Sequence, residues 1–203
     1  MVVKRSAKRE DLKMRLIRAA EERIRALGLQ GLRARDVTAD AGCALGALYN
    51  HFGDLDDLIL HVNSMTLARL GVALDQEAAR AIDPRSKFKA LASAYLSFAR
   101  DNRALWAALF EHRMRPGATP PDWYLEKQAV LIQNLVAPLA VLRPELDRSG
   151  LLVRARTLFS AVHGIIAISL ENRFVGLAPT DLEDEVLSFV DTLVTGIEKT
   201  TRA

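Results

Sequence analysis

The chain has 203 residues, of which 50% are hydrophobic and 6% aromatic, enough to build a sizeable core in one or two domains. Its formal net charge is +3, but residues 1–50 hold 11 Lys and Arg against 6 Asp and Glu, while the remainder holds 17 against 19. This imbalance favours a polyanion partner for the N-terminal part alone, although a solvated charged helix would show the same pattern.

A structural disulfide and a membrane span are both disfavoured. Cys43 is the single cysteine, so no intramolecular disulfide can form, which fits a reducing cytoplasm. The N-terminus lacks the apolar run of a signal peptide. The longest uncharged stretches, 129–142 and 157–170, hold 14 residues each, short of the roughly 18 needed to span a bilayer. We therefore expect a cytoplasmic protein in which both stretches are buried helices.

The first predicted helix covers about residues 10–27, with an apolar stripe on one face and Gly28 as its C-terminal cap. Two short helices follow, at 33–41 and 45–52, and Gly42 lies in the turn between them, where positive φ is needed. Pairing their apolar faces makes a small core and leaves a two-turn helix facing outward, as a major-groove reader requires. The alternative from spacing alone is a purely structural helical hairpin.

The residues themselves distinguish these two readings. The segment 41–59 reads AGCALGALYNHFGDLDDLI, and it resembles the DNA-binding segment of the TetR (tetracycline repressor) family of transcriptional regulators. The resemblance is specific over residues 9–62 and is one of architecture beyond them. The matching positions are Ala41, Gly42, Gly46, Leu48, Tyr49, His51, Phe52 and Leu58.

This chain departs from the family pattern at several positions. Ala44 stands where the family usually has Ser or Thr, and Ala47 stands where it commonly has Thr or Ser. Arg33 stands where it commonly has Thr, and Leu55 stands where it usually has Lys. Hydroxyl and ammonium groups at these positions would contact phosphate. We expect Arg33 and Arg35 to compensate in part, because Arg can bind phosphate bidentately.

The resemblance implies a DNA-binding surface on the helix-turn-helix. Phosphate contacts are expected from Arg33, Arg35, Tyr49 and His51. Base readout is expected from Cys43, Ala44, Leu45, Gly46, Ala47 and Asn50, largely through apolar contact with thymine methyls and through DNA shape.

The remaining residues predict further helices. Asp54 caps a long helix from Leu55 to about residue 79, and Asp83-Pro84 opens the next. A helix capped by Asn102 is expected to follow, and later helices are expected at about 123–142 with a kink at Pro138, 150–174, and 181–199 behind a capping box of Thr180 and Glu183. No segment alternates at period two. The fold class is therefore all-α with about nine helices: a DNA-binding domain at 1–53 and an effector-binding and dimerisation domain at 54–203.

Aromatic residues around a Pro-rich loop at 115–122 are candidate walls of a pocket for an apolar ligand. His163, next to a mid-helix Gly164, is a further candidate, although a lone His on an apolar helix is more often a hydrogen-bonded core residue. The predicted ligand-binding residues are Tyr95, Trp106, Phe110, Trp123, Tyr124 and His163.

No His pair, GxSxG, Walker loop or GxGxxG motif is present, so neither an enzyme nor a metal or cofactor site is expected. In the family, the last two helices pair with their copies in a homodimer. The chain is thus predicted to be a homodimeric repressor that binds double-stranded operator DNA and is released by a small, largely apolar effector. The alternative is an all-α ligand-binding or interaction protein on the same scaffold with weakened DNA binding.

Overall fold

The computed structural model describes residues 2–171 and 175–201, and in these ranges it is built from helices with no strand. This confirms the all-α fold class. The described residues form ten α-helices, one more than predicted, and one short 3-10 helix at Leu29–Gly31. The α-helices are α1 Val2–Leu27, α2 Ala34–Asp40, α3 Leu45–His51, α4 Leu55–Arg80, α5 Pro84–Asp101, α6 Arg103–Glu111, α7 Asp122–Gln128, α8 Val130–Leu142, α9 Arg148–Leu170 and α10 Leu182–Thr201.

The chain divides into two compact units. The first contains residues up to 66 together with 102–127, and the second contains 67–101 together with residues from 128 onward. The helix α4 therefore contributes its first half to one unit and its second half to the other. The predicted division at residue 53 concerns which residues bind DNA, and it stays a prediction.

The core of the first unit explains why two helices as short as α2 and α3 are stable. Neither is long enough to hold together in water alone, so each depends on packing. Val37 from α2 and Leu48 from α3 are fully buried, and Phe52 closes the same core just after α3. Truncating one such side chain to Ala costs about 2–5 kcal/mol. Most of the other core residues come from α1, α4 and α6, among them Leu16, Ala20, Ile24, Leu58, Val62, Leu105 and Ala108.

Several predicted helix boundaries are confirmed by their caps. Gly28 has φ of 71° and its backbone N–H donates to the carbonyl of Ile24 at 2.9 Å. The Asp54 carboxylate accepts from the backbone N–H of Asp57 at 2.8 Å, and Asp83 accepts from that of Ser86 at 3.0 Å. These side chains satisfy donors that the first helical turn leaves without a partner.

Three predicted helix ends differ from the structure. The first helix begins at Val2, not near residue 10, because residues 2–9 contain no Gly or Pro to stop it. The predicted capping box is wrong: Thr180 donates to Asp181, and the Glu183 carboxylate accepts from Ser93 and Arg100. The helix predicted to reach residue 174 ends at Leu170, and residues 172–174 lie outside the described part of the chain.

The single helix predicted over 123–142 is two helices, α7 and α8, separated at Ala129. Ala129 keeps nearly helical backbone angles, so no residue type in the sequence marks the break. The break lies close to the point where the chain passes from the first compact unit to the second. Pro138, where the sequence predicted a kink, lies inside α8. It has no N–H to donate to the carbonyl of Asn134.

The second unit packs α5, α8, α9 and α10 around an apolar interior. Leu96 on α5, Leu139 on α8 and Ile166 on α9 are fully buried there. The close approach of α4 to α8 requires Gly71, since a Cβ at this position would lie only 2.8 Å from Val130 Cγ2.

Among the described residues, α9 is the one single helix that is long and apolar enough for a membrane span by length and composition. Only 17% of the most apolar part of α9 is buried in the single chain, so the stretch 157–170 is not the buried helix that the sequence predicted. One helix of this length and composition is weak evidence for a membrane, because core helices of water-soluble proteins have the same properties.

Candidate functional site

The outward face of α3 collects most of the residues predicted to read DNA. Leu48 faces the core, whereas the side chain of Tyr49 is 50% exposed and Asn50 is exposed beside it. Ala44 and Gly46 are exposed; Cys43, Leu45, Ala47 and His51 are partly exposed. The helix begins without a side-chain cap, because Ala44 occupies the cap position. Its first backbone N–H groups are therefore not bonded by a cap side chain, and they are donors of the kind that bind phosphate.

The two predicted phosphate-binding arginines differ in their surroundings. Arg33 is exposed, but its Nη1 donates to the carbonyls of Gln30 at 2.7 Å and Leu32 at 3.0 Å. These bonds fix the guanidinium against the 3-10 helix and leave fewer of its donors for an anion. Arg35 is exposed on α2 and is the better placed of the two to bind a phosphate.

The structure brings two further cations to this surface that the sequence reasoning missed. Burial of the ring is the largest cause of the lowered pKa of His51. The positive charges of Arg9 and Lys13 on α1 lie close enough to lower it further. Lys13 Nζ also lies 5.9 Å from the centre of the Phe52 ring. The clue in the sequence was the basic face of the first helix, but its position beside α3 follows only from the packing.

Interactions with α1 hold the helix-turn-helix in place. Arg15 Nη1 donates to the carbonyl of Ala41 at 2.8 Å, at the start of the turn between α2 and α3. Arg23 binds the Asp40 carboxylate through two nitrogens, at 2.5 and 2.9 Å, and this contact lowers the pKa of Asp40. Bidentate pairs of this kind fix orientation as well as adding charge attraction.

A cavity of about 590 Å³, including the space at its open mouth, lies within the second unit. Five helices form its wall, through Leu74 of α4, Phe88, Leu91, Ala92 and Tyr95 of α5, Leu131, Asn134 and Leu135 of α8, Leu158, Phe159 and Val162 of α9, and Val190, Leu193 and Val194 of α10.

Of the residues predicted to bind a ligand, Tyr95 lines this cavity, and His163 contacts Tyr95 without lining the cavity itself. The Tyr95 hydroxyl is hydrogen-bonded to His163 Nδ1 at 2.8 Å, and the imidazole stacks on Phe159 with ring centres 5.6 Å apart. Burial lowers the pKa of His163, although the nearby Glu171 charge partly opposes this. The imidazole is therefore neutral at pH 7, and it stands behind the cavity wall as the partner of Tyr95.

The other four predicted ligand-binding residues lie elsewhere. Trp106, Phe110, Trp123 and Tyr124 belong to the first compact unit, and none of them lines this cavity. Trp123 packs against His61 with ring centres 4.8 Å apart, and Trp106 packs against Phe110 at 5.5 Å. The structure thus separates the aromatic group that the sequence treated as one wall.

Tyr95 is the one predicted ligand-binding residue that lines the cavity, and Asn134 is the polar residue among the lining residues that the sequence reasoning missed. It lies in the uncharged run 129–142, one helical turn from Leu131 and Pro138. Its Nδ2 atom is buried and has no hydrogen-bond partner among the described residues. An amide within an otherwise apolar helical face was the signal available in the sequence.

The described residues contain no group of three or more His, Cys, Asp or Glu that could hold a metal ion. Cys43, with an intermediate exposure in the turn before α3, has a free thiol.

Residues 88–193, just over half of the chain, match the family model described as the tetracyclin repressor-like C-terminal domain. No curated protein matches the sequence.

Several solved structures share the fold over nearly the whole chain. A protein of unknown function from Rhodococcus sp. RHA1 is 26% identical, with a TM-score of 0.71 over 91% of this chain and 94% of that one. RolR in complex with resorcinol is 18% identical, with a TM-score of 0.68 over 97% and 95%. The TetR family regulator PfmR from Thermus thermophilus is 18% identical, with a TM-score of 0.60 over 89% and 97%.

Proposed function

This chain belongs to the TetR family of transcriptional regulators, and on that premise we propose that it is a homodimeric repressor released from its operator by a small, largely apolar ligand. The observation that carries the proposal is the two-sided character of α3. Its inner face is fixed in the core by Leu48, while Tyr49 and Asn50 are exposed on the outer face. A short, firmly anchored helix with an exposed outer face is what the major groove accepts.

The charges around α3 support DNA as the partner. Arg35 on α2 and the pair Arg9 and Lys13 on α1 would bind backbone phosphates, which supply most of the affinity of such complexes. His51 and Tyr49 would add contacts beside them. Because Cys43 and the residues 44–47 offer few polar groups, base readout would rely on thymine methyls and DNA shape.

The exposed sides of α9 and α10 support a dimer. Val153, Thr157, Ser160, Gly164 and Ile168 recur at helical spacing on the outer face of α9, and none of them carries a charge. The matching face of α10 carries Ser188, Thr192 and Gly196. The Thr157 and Thr192 hydroxyls donate to carbonyls of their own helices, so they need no water in an interface. Small and apolar side chains of this kind let two helices approach closely.

The cavity supports a small-molecule effector. Its wall is almost wholly hydrocarbon and includes Leu74 of α4, the helix that continues into the unit holding α3. A ligand that favoured one arrangement of α4 would thereby change how well two recognition helices fit half-sites roughly 34–36 Å apart. RolR, a structural neighbour, was solved with resorcinol bound, and that small organic ligand is consistent with an effector here.

The experiment that tests DNA binding is retention of fragmented genomic DNA from the source organism on the purified protein at several salt concentrations. Selective retention of fragments with a common sequence would support the repressor, and the fall of log affinity with log salt would count the phosphate contacts at about 0.9 per contact. Retention without a common sequence, or none at low salt, would end the proposal.

A double variant tests whether the helix-turn-helix surface binds DNA. Arg35→Ala with Tyr49→Phe should weaken operator binding and reduce the salt slope by about one, since one phosphate-bound cation is lost. Arg113→Ala is the matched control, because Arg113 is also exposed but lies outside the helix-turn-helix. Equal effects of the two variants would show that the predicted surface is not the one that binds DNA.

A second candidate function is a ligand-binding or interaction protein on the same scaffold with little DNA binding. The specific observations in its favour are the uncapped start of α3 at Ala44 and the engagement of Arg33 by backbone carbonyls. Under this reading the retained fragments would share no sequence, while a ligand would still bind the cavity.

A further inference from the structure

The chemistry of the cavity wall in the second unit restricts what the cavity can bind. No charged side chain among the described residues lines it, and all of its lining residues except Tyr95 and Asn134 are hydrocarbon in their side chains. Burying a carboxylate or an ammonium against such a wall would be costly without a charged partner. The wall therefore selects an uncharged and mainly hydrocarbon molecule.

The polar group of Tyr95 is already engaged. Its hydroxyl and His163 Nδ1 are 2.8 Å apart, and the imidazole is held in turn by stacking on Phe159. The lowered pKa of His163 keeps this imidazole neutral, so it supplies no charge to a ligand. The Tyr95–His163 pair thus shapes the wall and orients the Tyr95 ring.

Asn134 is different, because its buried Nδ2 has no hydrogen-bond partner among the described residues. Buried amide donors are nearly always bonded, since leaving one without a partner costs free energy. The neighbouring cavity residues on α8, Leu131 and Leu135, have no acceptor in their side chains. The partner of this amide therefore has to come from outside the wall.

We propose that the cavity takes an uncharged, mainly hydrocarbon ligand carrying one hydrogen-bond acceptor, such as a ketone, ester or ether oxygen, which accepts from Asn134 Nδ2. The terminal torsion of Asn is broad, so a modest turn of the amide brings Nδ2 to the ligand. Asn134 then selects for the acceptor oxygen of the ligand, and the hydrocarbon wall selects for the hydrocarbon part of the ligand. This inference rests on the proposed effector role of the cavity.

Three probes of similar shape test the proposal: benzylacetone carries a ketone, butylbenzene is a pure hydrocarbon, and phenylbutyrate carries a carboxylate. Their affinities are measured by displacement of Nile red, an uncharged fluorescent dye, from the full-length protein. The ratio of the benzylacetone affinity to the butylbenzene affinity should be about tenfold higher for the wild-type protein than for Asn134→Leu, because the ketone loses its hydrogen bonds to water in both proteins and regains one only from Asn134. Phenylbutyrate should bind most weakly of the three.

The variant Asn134→Leu replaces the amide by a hydrocarbon of similar size. This variant should lower the affinity for benzylacetone relative to that for butylbenzene. Its affinity for butylbenzene should equal or exceed that of the wild-type protein. Gln133→Leu is the matched control, because Gln133 is the adjacent amide on α8, is exposed, and does not line the cavity. It should keep the wild-type preference.

A measurement on the wild-type protein covers the case in which Asn134→Leu does not fold. The infrared carbonyl stretch of bound benzylacetone should lie at lower frequency than that of the ketone in hexane, as a hydrogen bond requires. An unshifted stretch, the same affinity ratio of ketone to hydrocarbon in the wild-type protein and Asn134→Leu, or tightest binding of the carboxylate would each overturn the inference while leaving the cavity a ligand site. If none of the probes displaced the dye, the effector role itself would fall, whereas operator retention would still test the DNA-binding proposal separately.

Discussion

At the scale of single residues, Gly42 decides the geometry of the turn between α2 and α3. Its φ of 65° lies in the left-handed region, which side chains with a Cβ enter only at a cost of about 1–2 kcal/mol. Space is not the constraint, because a Cβ there would meet only Arg15 Nη1, at 3.7 Å. The requirement is therefore one of backbone conformation.

Gly42→Ala should destabilise the protein by about 1–2 kcal/mol, measured as the free energy of unfolding in urea. Gly46→Ala is the matched control: Gly46 lies in α3 with nothing within 4 Å of its Cβ position, so Ala there should be neutral or stabilising by up to about 1 kcal/mol. Equal stabilities of the two variants would contradict the assigned role of Gly42.

His163 gives a second prediction at this scale, through its lowered pKa. The folded state resists protonation because the ring is buried beside Tyr95 and Phe159. The unfolded chain takes up the proton first as the pH falls, so the stabilising contribution is complete above about 6.5 and is lost as the pH falls through that value towards the folded-state pKa.

Wild-type protein should accordingly lose more unfolding free energy than His163→Asn between about pH 7.5 and about pH 5.5. Asn keeps a side-chain acceptor for the Tyr95 hydroxyl but cannot be protonated in this range. His51 and His112, whose pKa values are also lowered by burial, are present in both proteins and cancel in the comparison. Identical pH dependence would show that His163 is not held neutral by the fold.

At the scale of an element, the outer face of α9 exposes apolar and small uncharged residues, and packing within a single chain does not explain them. Val153 is 61% exposed and Ile168 is 39% exposed, and the residues between them on that face are small or uncharged. Gly164 has open space above its Cα, so the packing within one chain does not account for a glycine in mid-helix. A second copy of the chain would cover this face and use the space.

Glutamates placed on that face should therefore prevent dimer formation, because each charge would be buried without a partner. We expect wild-type protein to have twice the 22.4 kDa chain mass by light scattering. The double variant Val153→Glu with Ile168→Glu should run at the chain mass with its helicity intact. Val72→Glu with Ile82→Glu is the matched control, since these residues are 56% and 97% exposed outside α9 and α10. A dimer that survives both pairs of substitutions would place the interface elsewhere.

At the scale of the whole molecule, α4 is a helix that the two units share, and it connects the unit of α3 with the unit of the cavity. It runs from Leu55 to Arg80 without a break, its first half lies in the unit that holds α3, and Leu74 in its second half lines the cavity. A continuous helix transmits a displacement that a linker of Gly and Ser would absorb.

Ligand and operator should consequently affect each other's binding. If the probe that binds the cavity most tightly lowers operator affinity by some factor, operator DNA must lower the affinity for that probe by the same factor, and coupling of this kind is typically about 5- to 150-fold. Fluorescence anisotropy of a labelled operator, with and without saturating probe, measures one side; dye displacement with and without operator measures the other. Independent binding at the two sites would rule out release by this cavity.

The helical fold and most helix ends could be read from the sequence because they depend on local chemistry. Gly28 and Gly42 allow the positive φ that a helix end or a turn needs, and the carboxylates of Asp54 and Asp83 cap helices. Apolar residues three or four positions apart indicate the buried face of each helix. The motif over residues 41–58 was enough to indicate the family, which is confirmed by the match of residues 88–193 to its C-terminal domain.

The tertiary structure alone decided which distant residues meet. The segment 123–142 is two helices separated at Ala129, where the sequence has no helix-breaking residue. Trp106 and Trp123 lie in the other unit from the cavity that Tyr95 lines. The tertiary structure also brought Arg9 and Lys13 to His51 and left the Asn134 amide buried without a partner among the described residues. Local preferences act over a few residues and are therefore visible in a sequence, whereas the composition of a cavity depends on how five helices pack, which no short stretch of the chain specifies.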